Sequence, residues 1–167
     1  MGVNDHKCHA LENVRCVVLT LSDTRTEETD ESGKLIKDLL QEHGHIVVGY
    51  TILKDELETI RKVASRLIDN PDVQVIITNG GTGICHRDVT IEALSGLFDK
   101  KLDGFGEIFR FLGYEEVGSV AMMSRALAGI AKGKVIICLP GSKNAVALGM
   151  KKLVIPVLGH MVWEANR

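Results

Sequence analysis

Aromatic side chains are scarce, with one tryptophan, two tyrosines and four phenylalanines in 167 residues. Such a chain has few platforms on which bases or a flavin ring can stack. An excess of positive charge is also missing, since Lys plus Arg number 20 against 22 Asp plus Glu for a formal charge of -2. General attraction to nucleic acid or to anionic lipid is therefore absent, and any anionic ligand must be held locally. The four cysteines, Cys8, Cys16, Cys85 and Cys138, make no CxxC pair. That spacing suggests neither a zinc site nor a secreted disulfide framework, and reduced thiols are expected. Apolar runs stay short of the roughly 20 residues of a membrane span, and the opening MGVNDHKCHALENV has no signal-peptide core. The expected location is cytoplasmic, without membrane or nucleic-acid partners.

Hydrophobic residues make up 45% and charged residues 25%, as in ordinary globular proteins. The length suits a single domain over residues 12 to 167, with residues 1 to 11 as a flexible tail. VRCVVLTL at 14 to 21 reads as a strand covered on both faces, and IVVGYTIL at 46 to 53, VQVIIT at 73 to 78 and KVIICL at 134 to 139 repeat that signature. Helical spacing follows Asp30 (Leu35, Ile36, Leu39, Leu40, stopped by Gly44) and runs again from Asp55 to Asn70. The stretch 90 to 132 reads as mostly helical, with room for short irregular or extended pieces that the pattern does not place, and a last helix follows Leu139-Pro140-Gly141-Ser142 with Pro156 expected to break it in two. Strands alternating with helices predict an α/β three-layer sandwich around a mostly parallel sheet. The loops after Leu21, Leu53, Thr78 and Leu139 should then converge on one rim, where such sheets bind ligands.

One of those loops is TNGGTGICHRDVT at 78 to 90. Its glycines and the helix that follows suit a phosphate. It matches neither the dinucleotide fingerprint nor the P-loop, and HRDV lacks the rest of a kinase signature. The carboxylate of Asp88 would by itself repel a phosphate. It reads either as a helix cap or as a metal ligand, and Asp55 is open to the same two readings because D-E-L-E resembles a capping box. Both aspartates follow strands and belong on the same rim. A hard cation such as Mg2+ between them would turn repulsion into attraction, and that points to phosphoryl or nucleotidyl transfer.

SDTR at 22 to 25, DESG at 30 to 33, KDEL at 54 to 57, TNGGTGICHRDVT, DGFGEIFR at 103 to 110, MSRALAG at 123 to 129 and LPGSKNAV at 139 to 146 stand in the order and spacing of the MoaB/Mog family. The chain resembles these molybdenum-cofactor biosynthesis proteins from about residue 12 to 163. The resemblance implies molybdopterin binding, trimers or hexamers, and adenylylation of molybdopterin by Mg-ATP to give adenylyl-molybdopterin and pyrophosphate. A downstream molybdate-insertion protein is the implied recipient. Asp55 and Asp88 match the catalytic, Mg2+-binding carboxylates. Gly80, Gly81, Thr82 and Gly83 match the nucleotide and pterin-phosphate loop, Pro140, Gly141 and Ser142 the turn at the same pocket, and Ser22, Asp23, Ser32 and Gly33 the first loop and helix start. Lys143 stands where many relatives have proline. A non-catalytic molybdopterin-binding or scaffold protein is the alternative, because some members of the shorter branch have no established activity. A flavodoxin-like module would need aromatics at the ligand, and none lies in the glycine loop.

Other residues carry weaker expectations. His6, Cys8 and His9 suggest a disordered tail more than a metal site, and Cys85 lacks the helpers of a nucleophilic thiol. Arg87 either stabilises charge or turns to solvent or a nearby acid. Glu107 and Arg110 fit an exposed ion pair or a place near the pocket or subunit boundary. Met122 and Met123, with Leu127, fit core or interface packing.

Overall fold

A computed structural model describes residues 11–167, so His6, Cys8, His9 and all of the expected tail except Leu11 lie outside the described residues. Four strands, β1 (Arg15–Leu21), β2 (Ile46–Leu53), β3 (Val75–Asn79) and β6 (Lys134–Leu139), run parallel. With β4 (Lys100–Lys101) and β5 (Leu127–Ala131) they make a six-stranded sheet of order β2-β1-β3-β6-β5-β4, whose last two strands are antiparallel. This is the expected α/β sandwich with a mostly parallel sheet.

Side-chain alternation along the central strands makes two cores. Cys16, Val18, Val75, Ile77, Val135 and Ile137 face one side. There they meet α1 (Glu31–Glu42), α4 (Asp103–Val117), α5 (Lys143–Gly149) and α6 (Leu158–Asn166). Val17, Leu19, Ile76 and Ile136 face the other side, under α2 (Leu57–Ile68) and α3 (Thr90–Leu94). Strands clad on both faces need apolar residues at every position, which is why β1, β3 and β6 read as unbroken apolar text.

One expectation needs correction and two others gain detail. First, β2 has the same apolar text yet is an edge strand, with Ile46 48% and Val48 43% exposed. An extra residue in β2 opposite Cys16 and Val17 shifts its register, which disrupts the open edge. Second, the extended pieces that the sequence left unplaced within the mostly helical stretch are strands at 100–101 and 127–131. Lys132 (φ 47°) and Gly133 (φ 76°) make a two-residue hairpin turn with both residues left-handed, and this directs β5 back along β6. Alanine-rich text gave a helical period, but the turn and the neighbouring strand override that propensity. Third, Pro156 interrupts the last helix as expected: α5 ends at Gly149 and α6 begins at Leu158, with a π turn (Met150–Val154) and a 3-10 turn (Ile155–Val157) keeping the run helical between them.

The helical run Lys143–Asn166 has 24 residues and meets the length and composition of a membrane-crossing helix, although Lys151 and Lys152 interrupt its apolar text. Its apolar side is directed elsewhere, since Val146, Met150, Val154, Leu158 and Val162 are buried in the core.

Ile77 is fully buried at the centre of the sheet. Ile77→Ala should destabilise by roughly 2 to 5 kcal/mol, whereas Ile46→Ala on the open edge should cost less than about 1 kcal/mol. Urea unfolding of the two variants checks the contrast.

Candidate functional site

The C-terminal ends of β1, β2, β3 and β6 do converge. The Ser22 amide donates to the Leu53 carbonyl at 2.8 Å, and the Gly80 amide to Leu139 at 3.0 Å. Chain crossing at this point is so close that a side chain does not fit. A Cβ on Gly80 (φ 107°) would strike the Leu21 carbonyl, and one on Gly81 (φ 61°) would strike the Thr90 hydroxyl and lie 2.8 Å from Asp55 Oδ1. Thr90 fastens the turn, its hydroxyl donating to Gly80 O at 2.9 Å and its amide to Gly81 O at 3.1 Å.

Around this loop lies a cleft of about 500 Å³. Of the residues expected at the site, Ser22, Gly80, Gly81, Thr82, Gly83, Asp88, Pro140 and Gly141 line it. Ser142 caps α5 instead, accepting from the Ala145 amide at 3.3 Å, and borders an adjoining groove. Ser32 and Gly33 are buried behind the cleft. The Ser32 hydroxyl donates to Gly141 O at 2.8 Å, and a Cβ on Gly33 would collide with Asp30.

Neither catalytic candidate is a helix cap. Position Glu56, not Asp55, precedes α2 and makes no side-chain cap bond, while Glu58 reaches Arg61 rather than back to the helix start. Val89 precedes α3, and Asp88 Oδ2 instead accepts the Cys85 amide at 2.8 Å within the loop. Asp55 Oδ1 is buried and has no hydrogen-bond partner. Burial, then the charges of Asp23 and Asp88, push the Asp55 carboxyl above its ordinary range. The two aspartates thus sit on one rim with the glycine loop, in one chain.

Asp23 is satisfied differently. Arg87 clamps it through Nε at 3.0 Å and Nη2 at 2.7 Å, holding its carboxyl below the ordinary value, and Asp23 Oδ1 accepts the Asp55 amide at 3.2 Å. Arg87 therefore turns to a nearby acid. Lys143 pairs with Glu31 at 3.2 Å, and Arg110 reaches the Ser124 and Ala126 carbonyls at 3.4 Å rather than Glu107. Met123 lines the cleft, Leu127 packs against the second core, and Met122 is 78% exposed.

Two supports went unnoticed in the sequence. Arg125 laces the glycine loop, donating from Nε to Gly83 O at 2.7 Å and from Nη2 to Asp88 O at 2.9 Å while pairing with Glu92. Asp30, buried, accepts from the Thr20 hydroxyl, from Tyr50 Oη at 2.7 Å, from the Gly33 amide at 2.9 Å and from Arg25 at 3.1 Å. Burial alone would raise its carboxyl, but these donors and the Arg25 charge hold it below the ordinary range. Only their places inside MSRALAG and DESG mark these residues in the sequence.

Residues 17–160 match the family model described as "Probable molybdopterin binding domain". The Molybdenum cofactor biosynthesis protein B of Bacillus cereus is 52% identical over 168 residues, covering 100% of this chain and 99% of that one. A crystal structure of a Molybdenum cofactor biosynthesis protein B superposes with a TM-score of 0.90 at 52% identity, covering 93% of this chain and 97% of that one. The tungsten cofactor synthesizing protein MoaB of Pyrococcus furiosus gives a TM-score of 0.85 at 38% identity, over 95% and 100% of the two chains.

Because its carboxyl is raised in the fold, Asp55 binds its proton more tightly folded than unfolded. Ionised at neutral pH it therefore destabilises the protein, and the penalty disappears below about pH 4, where both states are protonated. Asp55→Asn should melt above the parent at pH 7 without added metal, with the gap closing as the pH is lowered through the carboxylate range. Equal melting temperatures at pH 7 would contradict this assignment.

Proposed function

The chain belongs to the MoaB/Mog family of molybdenum cofactor biosynthesis proteins, and from that premise we propose that it binds molybdopterin and adenylylates it with Mg-ATP. The observation that carries this reading is Asp55 Oδ1, buried without a partner beside the backbone of Gly81, with Asp88 on the same loop. A carboxylate oxygen left without a donor there is suited to a cation. Among the described residues no group of three acidic, histidine or cysteine side chains could hold a metal. Two carboxylates that leave the remaining positions to phosphate oxygens and water fit Mg2+ arriving with a nucleotide, since this ion keeps few protein ligands. Bound there, Mg2+ would neutralise charge on the triphosphate.

The protein's own part is placement. The backbone amides of Gly81 to Gly83, in the loop that lines the cleft, would orient phosphate oxygens. The terminal phosphate oxygen of molybdopterin attacks the α-phosphorus of ATP, an O–P bond forms, and the bond to the departing pyrophosphate breaks. The nucleophile is already anionic, so no strong base is required and orientation supplies the main advantage. Arg125 supports the reaction indirectly by fixing the carbonyls of Gly83 and Asp88.

The cytoplasm is the proposed setting, with a molybdate-insertion protein as the recipient of the product. A trimer or hexamer is also proposed. It is supported by the exposed apolar side chains Phe111, Tyr114, Val117, Val120 and Met122 on α4 and the turn after it, which a neighbouring subunit would cover.

Purified protein mixed with molybdopterin and Mg-ATP should release pyrophosphate and form adenylyl-molybdopterin. Asp55→Asn and Asp88→Asn should each lower turnover by about 100-fold or more, while circular dichroism remains that of the parent. Tight molybdopterin binding without pyrophosphate release would instead establish the non-catalytic reading.

A further inference from the structure

The cleft contains a guanidinium with no role so far. Arg25 lies in the loop after β1 and is the one lysine or arginine lining the cleft, as Asp88 is its one carboxylate. Its Nη1 donates to Asp30 Oδ1 at 3.1 Å and its Nη2 to Gly141 O at 2.7 Å. A guanidinium has five N–H donors, so these two bonds leave three for a ligand. The side chain is 30% exposed while that of Asp30 is 0% exposed. Asp30 is thus a hidden anchor for a cation that reaches the ligand space. Thr20, Tyr50 and the Gly33 amide share the Asp30 carboxylate, so its charge is not directed at Arg25 alone.

We propose that Arg25 is the metal-independent anion anchor of the cleft, binding the phosphate monoester of the substrate, with Asp30 as its positioning residue. The inference rests on the proposed reading in placing phosphates here, and it adds a division of labour. The Asp55 and Asp88 side is negative and accepts an anion only together with a cation. The Arg25 side accepts a free dianion directly, through a fork suited to phosphate oxygens. A metal-bound triphosphate and a bare phosphate monoester would then be sorted to different sides of the cleft, with an oxygen of the monoester turned to the α-phosphorus.

The test uses the full chain, without ATP and with EDTA present, titrated with inorganic phosphate and separately with molybdopterin. The parent should bind both, with affinity that falls as salt is added. Arg25→Gln should weaken both by about tenfold or more and lose most of the salt dependence, and Arg25→Lys should retain part of the affinity. Asp30→Asn should weaken phosphate binding in the same direction. Because that variant removes a buried charge, the surface-reaching Arg25 variants decide the question if it unfolds. Ser32→Ala releases the other bond to Gly141 without removing charge, so its binding should keep the parent's salt dependence. Parent protein that binds no phosphate, Arg25→Gln that binds as the parent does, or Ser32→Ala that matches Arg25→Gln in both affinity and salt response would each overturn the proposal. Failure of pyrophosphate release alongside Arg25-dependent phosphate binding would remove the adenylylation reading and leave this one standing.

Discussion

The site depends on a steric constraint at the end of β3. The chain must pass between the ends of β1 and β6 with room for backbone only, and Gly80 meets that demand in a conformation that L side chains rarely adopt. Its amide joins it to β6, and Thr90 holds its carbonyl. Every later feature uses this turn. Asp55 leans against the backbone of Gly81, Asp88 folds back onto the same loop, and Gly141 packs so near Gly80 that its own Cβ would lie 3.2 Å from the Gly80 Cα. Loops brought together in this way form a cleft without needing a second layer of structure to enclose it.

Charge is distributed unevenly around that cleft. Asp30 is deeply buried yet amply supplied with donors, so its ionised form is stabilised and it serves the fold. Asp55 is less deeply placed but has a bare oxygen and two acidic neighbours, so its ionised form works against the fold. The comparison is instructive because burial pushes both carboxyls in the same direction. Hydrogen bonding decides the outcome. A residue that weakens the folded state unless a cation is present is what a binding site requires, and strain of this kind is a common mark of function.

Much of the architecture was readable. Strands β1, β3 and β6 stand out since both faces are covered, and the glycine loop stands out since Gly80 and Gly81 take positive φ where no Cβ fits. Edge strand β2 was misread because burial on two faces and burial on one give the same text when its outward residues happen to be apolar. Strand β5 has no place marked in the sequence because Ala128, Gly129 and Ala131 are short-range neutral, and what makes them a strand is the ladder offered by β6. Arg25 and Arg125 carried no visible function because their partners are remote, Gly141 being 116 residues from Arg25 and Gly83 42 from Arg125.

The amino-acid sequence by itself determined the alternation of strand and helix, the parallel centre of the sheet, the glycine turn and the family to which the chain is similar. These follow from local period, local conformational freedom and contiguous motif. Tertiary structure alone decided that Asp55 and Asp88 are not caps, that Arg87 is committed to Asp23 while Arg25 is left with free donors, and that one aspartate is satisfied and another is not. Those outcomes are set by which groups from separate loops meet in three dimensions, since desolvation and hydrogen bonding act through space and have no signature in residue order.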